Sequence, residues 1–222
     1  MSLIDTFFNP RVFVDTLPLL LSGLSTTILL GLVSNVVGLL LGLGLALGRL
    51  YGAKPLRWSA IAYIDVFRAI PLLVLLVVVY YALPFVGIRL SPFAAATTAI
   101  SMVAGAYSAE IFRAGIEAIP KGQFEAARAL GLSPAVTLYK VILPQALRLV
   151  VPPITSNAVS VLKDTALASV VAMPDLLKQA TQAQALAANP TPLIVAAGIY
   201  ILLLLPLVRL VGVIERNWKQ GR

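Results

Sequence analysis

The side chains with the clearest capacity for polar chemistry lie in one weakly apolar segment in the second half of the chain. Its uncharged core, Leu149 to Leu162, contains two prolines and four hydrogen-bonding residues, namely Thr155, Ser156, Asn157 and Ser160. Asn157 and Ser160 are three residues apart and would share one face of a helix. Such a face either lines a water-accessible path for a polar solute or joins helices by hydrogen bonds.

Two pairs of opposite charges have the spacing of helical ion pairs. Asp65 and Arg68 are three residues apart, as are Glu110 and Arg113. Side chains at this spacing lie on one helix face, so each pair is expected to interact. Both pairs lie near predicted helix ends, where they would either brace the structure or take part in function.

The chain contains neither cysteine nor histidine. This composition excludes disulfides, thiolate or imidazole metal sites, and nucleophiles of the Cys-His or Ser-His-Asp type. The few carboxylates near apolar segments form no aspartyl dyad in sequence. Lys163 and Asp164 are adjacent and would point apart on a helix, serving a gate, an external contact or the membrane interface. The expectation is that the chain is not an enzyme and holds no metal.

The composition indicates a membrane protein. Of the 222 residues, 59% are hydrophobic and only 12% are charged, whereas soluble domains average about 25% charged residues. A helix needs about 20 mainly apolar residues to cross a bilayer, and only helices or closed barrels satisfy their backbone there. We therefore predict an all-α polytopic protein with one domain, residues 1–222, and five spans at about 17–48, 59–83, 91–113, 146–168 and 192–214.

Basic residues orient these spans. With the N-terminus outside, four basic residues face outward (Arg11, Arg89, Lys163 and Lys178) and eleven face the cytoplasm (Arg49, Lys54, Arg57, Arg113, Lys121, Arg128, Lys140, Arg148, Arg216, Lys219 and Arg222). Cytoplasmic loops of membrane proteins carry this excess of positive charge. The net charge of +8 is thus topogenic, with no nucleic-acid partner implied, and the C-terminus is predicted to be cytoplasmic.

A punctuated stretch between the third and fourth spans, about residues 118–144, has the pattern of a helix, a tight turn and a second helix. Pro120 suits a helix start, and Gly131 stands where a left-handed residue would end that helix. Ser133 followed by Pro134 reads as a cap and first-turn proline that restart a helix. On these grounds alone, an amphipathic helix on the membrane surface and a docking element for another subunit remain open.

The motifs of this stretch resemble those of a known family. Glu125-Ala126-Ala127, Gly131 and Val141-Ile142-Leu143-Pro144 resemble the EAA loop of ABC importer permeases, with Val141 in place of the family's Ile. FRAIPLLV at 67–74, AYSAEIFR at 106–113 and LKDTAL at 162–167 are similar to the polar amino acid subfamily. The resemblance covers roughly residues 15 to 216.

The resemblance implies the transmembrane permease subunit of an ATP-driven amino acid importer in a bacterial cytoplasmic (inner) membrane, multi-pass, with an outside N-terminus. Glu125, Ala126, Ala127 and Gly131 would couple it to a cytoplasmic ATP-binding subunit. That subunit would bind ATP and Mg, since this chain lacks a phosphate-binding G-x-x-x-x-G-K-[ST] loop. Further implied partners are a second permease (a copy or a relative), an extracytoplasmic solute-binding protein, a polar amino acid and membrane lipid.

A zwitterionic amino acid needs donors for its carboxylate and acceptors for its ammonium group near the membrane midplane. The residues predicted to line such a path are Asn157, Ser160, Thr155, Ser101, Tyr107 and Glu110. Three alternatives remain open: an importer for another solute class, a passive channel or scaffold, and polar side chains that only join helices. Gly38-x-x-x-Gly42 and Gly44-x-x-x-Gly48 permit close helix packing, within the chain or between protomers.

Overall fold

The computed structural model describes residues 6–220, and the regular structure in that range is helical. Nine α-helices are numbered here in chain order: α1 Pro10–Tyr51, α2 Lys54–Ala69, α3 Leu72–Val77, α4 Pro92–Glu117, α5 Lys121–Ala129, α6 Pro134–Thr137, α7 Leu143–Asp164, α8 Leu176–Ala187 and α9 Thr191–Gln220. A π-helical turn follows α3 (Val78–Ala82) and another follows α6 (Leu138–Ile142). The 3₁₀ segments are Leu83–Val86 and Thr165–Val171.

Several helices are long and apolar enough to cross a membrane. Three of them qualify alone, namely Pro10–Tyr51, Pro134–Val171 and Thr191–Trp218. The second of these ranges comprises α6, α7 and the π-helical and 3₁₀ segments beside α7. The bent pair of α2 with Leu72–Val86 makes a fourth if it counts as one span. Helix α4 has 26 residues, which is long enough for a span. It is less apolar than the three helices that qualify alone. The count of five spans therefore stays a prediction.

The second predicted span, 59–83, is wrong as one continuous helix. The chain leaves α2 at Ile70, whose backbone is extended (φ −78°, ψ 131°), and bends by 103° before α3. The cause is Pro71, because the proline ring disfavours helical backbone in the residue before it and supplies no N–H to continue the helix. Arg68 thus lies in the last turn before a sharp corner.

The most extensive helix–helix contact joins α1 and α4. A Cβ added to Gly38 would lie 2.7 Å from the Ala104 side chain, and one added to Gly42 would lie 2.8 Å from the Gly105 carbonyl oxygen. The first small-residue pattern therefore packs within the chain, because only glycine allows this approach. By contrast, a Cβ at Gly44 would meet nothing within 4 Å.

Helix α8 was not predicted from the sequence. It packs against α1 and α9, and its first N–H, on Leu176, donates to the Thr27 hydroxyl at 3.0 Å. Asp175 caps the helix by accepting from the Lys178 N–H at 3.1 Å. This aspartate is fully buried, its second carboxylate oxygen has no hydrogen-bond partner, and burial raises its pKa to about 6.

Candidate functional site

The segment between α4 and α7 has the local structure that its sequence predicts. Helix α5 ends at Ala129, and Gly131 follows in the left-handed region with φ +71°. Ser133 caps α6, its hydroxyl accepting from the Val136 N–H at 3.4 Å. A side chain at φ +71° is strained in any residue with a Cβ, which explains the glycine at this turn.

The surface of this element differs in part from the predicted contact. Glu125 and Ala126 are exposed, whereas Ala127 is buried, with 3% of its surface accessible. Its side chain therefore faces the rest of the chain, and the exposed members of the predicted coupling contact are Glu125, Ala126 and Gly131. Leu130, which the sequence reading did not select, is 78% exposed beside Gly131. An exposed leucine at a helix end is a candidate apolar contact.

The element is tied firmly to α7. Ile119, Ile142 and Ala146 form a buried cluster against which Phe124 of α5 packs. The Gln145 amide also donates to the Gln123 side-chain oxygen at 3.3 Å. These contacts join α5 directly to the start of α7.

Helices α4 and α7 run antiparallel. Gly115 of α4 lies against Val150 of α7, and further along the pair Ser108 accepts a hydrogen bond from the Asn157 amide at 3.2 Å. The α7 numbers rise as the α4 numbers fall. The Glu110 end of the pair is therefore marked by Tyr107 and Asn157, and the opposite end by Ile100 and Asp164.

A cavity of about 330 Å³ lies between these two helices. Each helix contributes a stripe of residues spaced i, i+3, i+4 and i+7, which is one helix face: Ile100, Val103, Ala104 and Tyr107 from α4, and Asn157, Ser160, Val161 and Asp164 from α7. The lining is half apolar, and its polar members supply a phenol, an amide, a hydroxyl and a carboxylate. Such a set can hydrogen-bond a small polar solute and accept from a cationic group.

Of the six residues predicted to line a path, Asn157, Ser160 and Tyr107 meet in this cavity. The other three are placed elsewhere. Ser101 is buried and donates to the Ser34 carbonyl at 3.3 Å, Thr155 donates to the Val151 carbonyl of its own helix at 2.7 Å, and Glu110 is committed to ion pairs. These three side chains are bonded to other groups of the protein, as most polar groups inside a protein are.

Asp164 is the cavity residue that the sequence reading did not select for the path. The adjacent Lys163 is exposed, so the two side chains point apart as expected for neighbours on a helix. The signal that would have found Asp164 is its spacing of seven residues from Asn157, which places both on one face.

An ion cluster surrounds Glu110 at the other end of the cavity. Arg49 donates to Glu110 at 3.0 Å, and Arg113 pairs with both Glu110 and Glu117. Arg68 lies 3.9 Å from Glu110. The predicted pair of Glu110 and Arg113 is confirmed, since they contact at the expected i, i+3 spacing.

The predicted pair of Asp65 and Arg68 is wrong. Within residues 6–220, Asp65 is exposed and has no ion-pair partner. Arg68 instead points to α4, where its guanidinium lies 5.5 Å from the centre of the Tyr107 ring. The corner at Pro71 places this last turn of α2 beside α4, and the nearby Glu110 is the stronger partner.

One protein family has a sequence profile that matches residues 38–220, and its description is binding-protein-dependent transport system inner membrane component. This chain belongs to that family. The membership confirms the family expected from the EAA loop and makes the protein a multi-pass component of an inner membrane. The permease is thus a transport component.

Two permeases of one bacterium are similar to this chain over most of its length. The chain is 38% identical to the arginine transport system permease protein ArtQ of Bacillus subtilis (strain 168) over 210 residues, covering 94% of this chain and 96% of the relative. It is 41% identical to that organism's L-cystine transport system permease protein TcyB over 165 residues, covering 74% and 70%.

Chains in two solved ABC transporter structures are also similar to this permease. The permease matches a chain of a crystal structure described as an amino acid ABC transporter with histidines, with a TM-score of 0.87 and 37% identity, covering 92% of this chain and 96% of that one. It also matches a chain of the inward-facing MetNI methionine ABC transporter with a TM-score of 0.75 and 25% identity, covering 92% and 98%.

Proposed function

We propose that this chain is the permease subunit of an ATP-driven amino acid importer, forming the translocation path and coupling it to separate ATP-binding subunits. The observation that carries the proposal is the match over 94% of the chain to an arginine permease. The half-polar cavity between α4 and α7 supports it, because its size and lining suit a small zwitterion. A passive channel or scaffold would not require the exposed helix-turn-helix formed by α5 and α6.

The solute path in this proposal is the cavity. Asp164 would accept from the ammonium group of an amino acid, while Asn157, Ser160 and Tyr107 would offer hydrogen bonds. Binding sites of transporters near the membrane midplane are built from such helix-borne polar groups. An extracytoplasmic solute-binding protein would deliver the amino acid to the Asp164 end.

The motor in this proposal is a separate ATP-binding subunit that docks on α5 and the following turn. The exposed Glu125, Ala126 and Leu130 would contact that subunit, and Gly131 would shape the turn. ATP and Mg would be held by the partner. Because α5 is tied to α7, closure of the motor would move one wall of the cavity.

The membrane arrangement that fits this proposal has five spans: α1, the bent pair α2 and α3, α4, α7 with its preceding turn, and α9. The N-terminus would lie outside and the C-terminus in the cytoplasm. A second permease, a copy of this chain or a relative, would complete the pair that two ATP-binding subunits require.

The experiment that tests the proposal is purification of the tagged chain from its native membrane in mild detergent, with identification of the bound proteins. The expected result is an ATP-binding subunit at one copy per permease, with either this chain alone or a second permease. A Leu130→Glu variant should lose that subunit and a Leu186→Glu variant should keep it, since Leu186 is equally exposed (87%) on α8. Recovery of no ATP-binding protein, even after crosslinking through Ala126→Cys, would contradict the proposal.

A further inference from the structure

Three arginines lie within 4 Å of the Glu110 carboxylate, although two of them are sufficient to neutralise it. Both oxygens of Glu110 are already engaged, Oε2 by Arg49 at 3.0 Å and Oε1 by Arg113, whose Nε lies 3.1 Å away. These two cations neutralise and hydrogen-bond the carboxylate by themselves. Arg68 is a third cation, from a third helix, and at 3.9 Å it is too far for a hydrogen bond.

Arg68 is also the most loosely held of the three. Its side chain is 40% exposed, whereas the side chains of Arg49 and Arg113 are each 23% exposed. Arg68 also contacts the Tyr107 ring, with its guanidinium carbon 5.5 Å from the ring centre. Such a cation–π contact leaves the N–H groups of the guanidinium free to donate.

Tyr107 connects this arginine to the cavity. The tyrosine lines the cavity wall and stands three residues before Glu110 on α4, so it is the α4 lining residue nearest the ion cluster. Arg68 therefore lies against the cavity-lining residue at the Glu110 end.

We infer that Arg68 binds the carboxylate of the transported amino acid as it leaves the cavity at the Glu110 end. A guanidinium offers a planar fork that matches a carboxylate. The exchange disturbs the cluster little, because Glu110 keeps Arg49 and Arg113 when Arg68 turns to the solute. This inference rests on the proposed function for the identity of the solute and the direction of its movement.

The first test measures the charge that the cavity presents to a small anion. The chain is free of cysteine, so Asn157→Cys provides a single thiol near Tyr107 for reaction in the detergent-solubilised complex. The measured quantity is the rate with sulfonatoethyl methanethiosulfonate divided by the rate with its trimethylammonioethyl analogue. This ratio cancels general access and thiol reactivity, leaving the local charge.

Arg68→Gln should lower this ratio at least about threefold at low ionic strength, since a cation near the thiol attracts the anionic reagent. Arg68→Lys should keep it within about twofold. Arg49→Gln is the matched control, because it removes the same charge from an arginine already bound to Glu110. An unchanged ratio in Arg68→Gln, or an equal fall in Arg49→Gln, would overturn the inference.

The second test connects this charge to transport. In proteoliposomes with the partner subunits and binding protein, Arg68→Gln should reduce uptake of a mixture of the twenty radiolabelled amino acids at least about fivefold. ATP hydrolysis stimulated by the binding protein should stay within about twofold, which a merely misfolded variant would not show. Undiminished uptake would refute the role of Arg68. No uptake by the wild-type complex would instead refute the proposed function. The ratio of thiol reaction rates would then still test whether Arg68 supplies positive charge to the cavity.

Discussion

The Asn157 amide of α7 donates a hydrogen bond to the Ser108 hydroxyl of α4 at 3.2 Å. This bond joins the two helices that line the cavity at its Glu110 end. The same helix α7 is joined at its start to α5 through Gln145 and Gln123. Helix α7 therefore links α5 to the cavity wall. In the proposed function, this link is the route by which an ATP-binding subunit on α5 would change solute access.

Solute access to the cavity can be tested with single cysteines. Ser160→Cys should react with a small water-soluble thiol reagent, because Ser160 is exposed and lines the cavity. Ser101→Cys is the matched control and should react at least about tenfold more slowly, since Ser101 is 2% exposed against α1. Reaction rates measured by mass shift decide the matter, and equal rates at both positions would count against the cavity as a water-accessible path.

The turn at Gly131 should be sensitive to any side chain. Gly131→Ala is expected to weaken the turn by about 1–2 kcal/mol, because its φ of +71° is unfavourable with a Cβ. The variant should bind the ATP-binding subunit about 5- to 30-fold less tightly if the strain is relieved by losing the bound conformation. Affinity is measured by titrating the purified ATP-binding subunit onto permease in detergent.

Gly122→Ala is the control for that turn. Neither glycine has an atom within 4 Å of an added Cβ, but Gly122 lies in α5 with ordinary backbone. Alanine there should be neutral or slightly favourable for the helix. Similar losses of affinity in both variants would mean that backbone strain is not the reason for the glycine.

The close packing of α1 against α4 gives a third prediction. Gly42→Ala should destabilise the protein by about 1–3 kcal/mol, since a Cβ there would lie 2.8–2.9 Å from backbone atoms of Gly105 and Ala109. Gly44→Ala, two residues along the same helix in open space, should be neutral or stabilising. Thermal unfolding in detergent measures both, and a Gly42→Ala protein as stable as the wild type would contradict the close approach of α1 to α4.

The buried Asp175 should make stability depend on pH. Its pKa of about 6 in the folded protein lies above the ordinary value of about 3.9. The folded state therefore binds a proton more tightly than the unfolded chain between about pH 4 and pH 6, so stability falls across this range and its Asp175 contribution is lost above pH 6. The full contribution is about 2–3 kcal/mol, because each tenfold difference in proton affinity is about 1.4 kcal/mol.

Asp175→Asn isolates this contribution, because asparagine keeps the size and the helix-capping oxygen but has no proton to lose. The wild-type melting temperature should fall by several degrees more than that of the variant between pH 4 and pH 7. Parallel curves for the two proteins across this range would show that Asp175 does not titrate as its burial indicates.

The sequence was informative where structure is decided locally. Gly131 predicts the turn after α5, and Ser133 predicts the N-cap of α6. Each acts on its own backbone or on a residue close by in sequence. The corner at Pro71 carries the same kind of local signal, but it lies within a long apolar run whose hydropathy predicts a continuous span. At this position the local restriction imposed by the proline determines the backbone.

Features decided by packing were not accessible in the same way. The inward face of Ala127, the exposed Leu130 and the partner of Arg68 all depend on which helix lies alongside. Of the path residues, Ser101 and Thr155 look as suitable as Asn157 in sequence. Only the antiparallel contact of α4 and α7 separates those that reach the cavity from those that bond within helices.

The measurement that tests the central claim most directly is uptake of radiolabelled amino acids by proteoliposomes containing this chain, its ATP-binding subunit and its solute-binding protein. We expect accumulation that requires ATP on the side of the ATP-binding subunit and that disappears when this chain is omitted. ATP hydrolysis should rise when the solute-binding protein is loaded. Uptake that proceeds equally without ATP, or ATP hydrolysis indifferent to this chain, would contradict the assignment of an ATP-coupled permease.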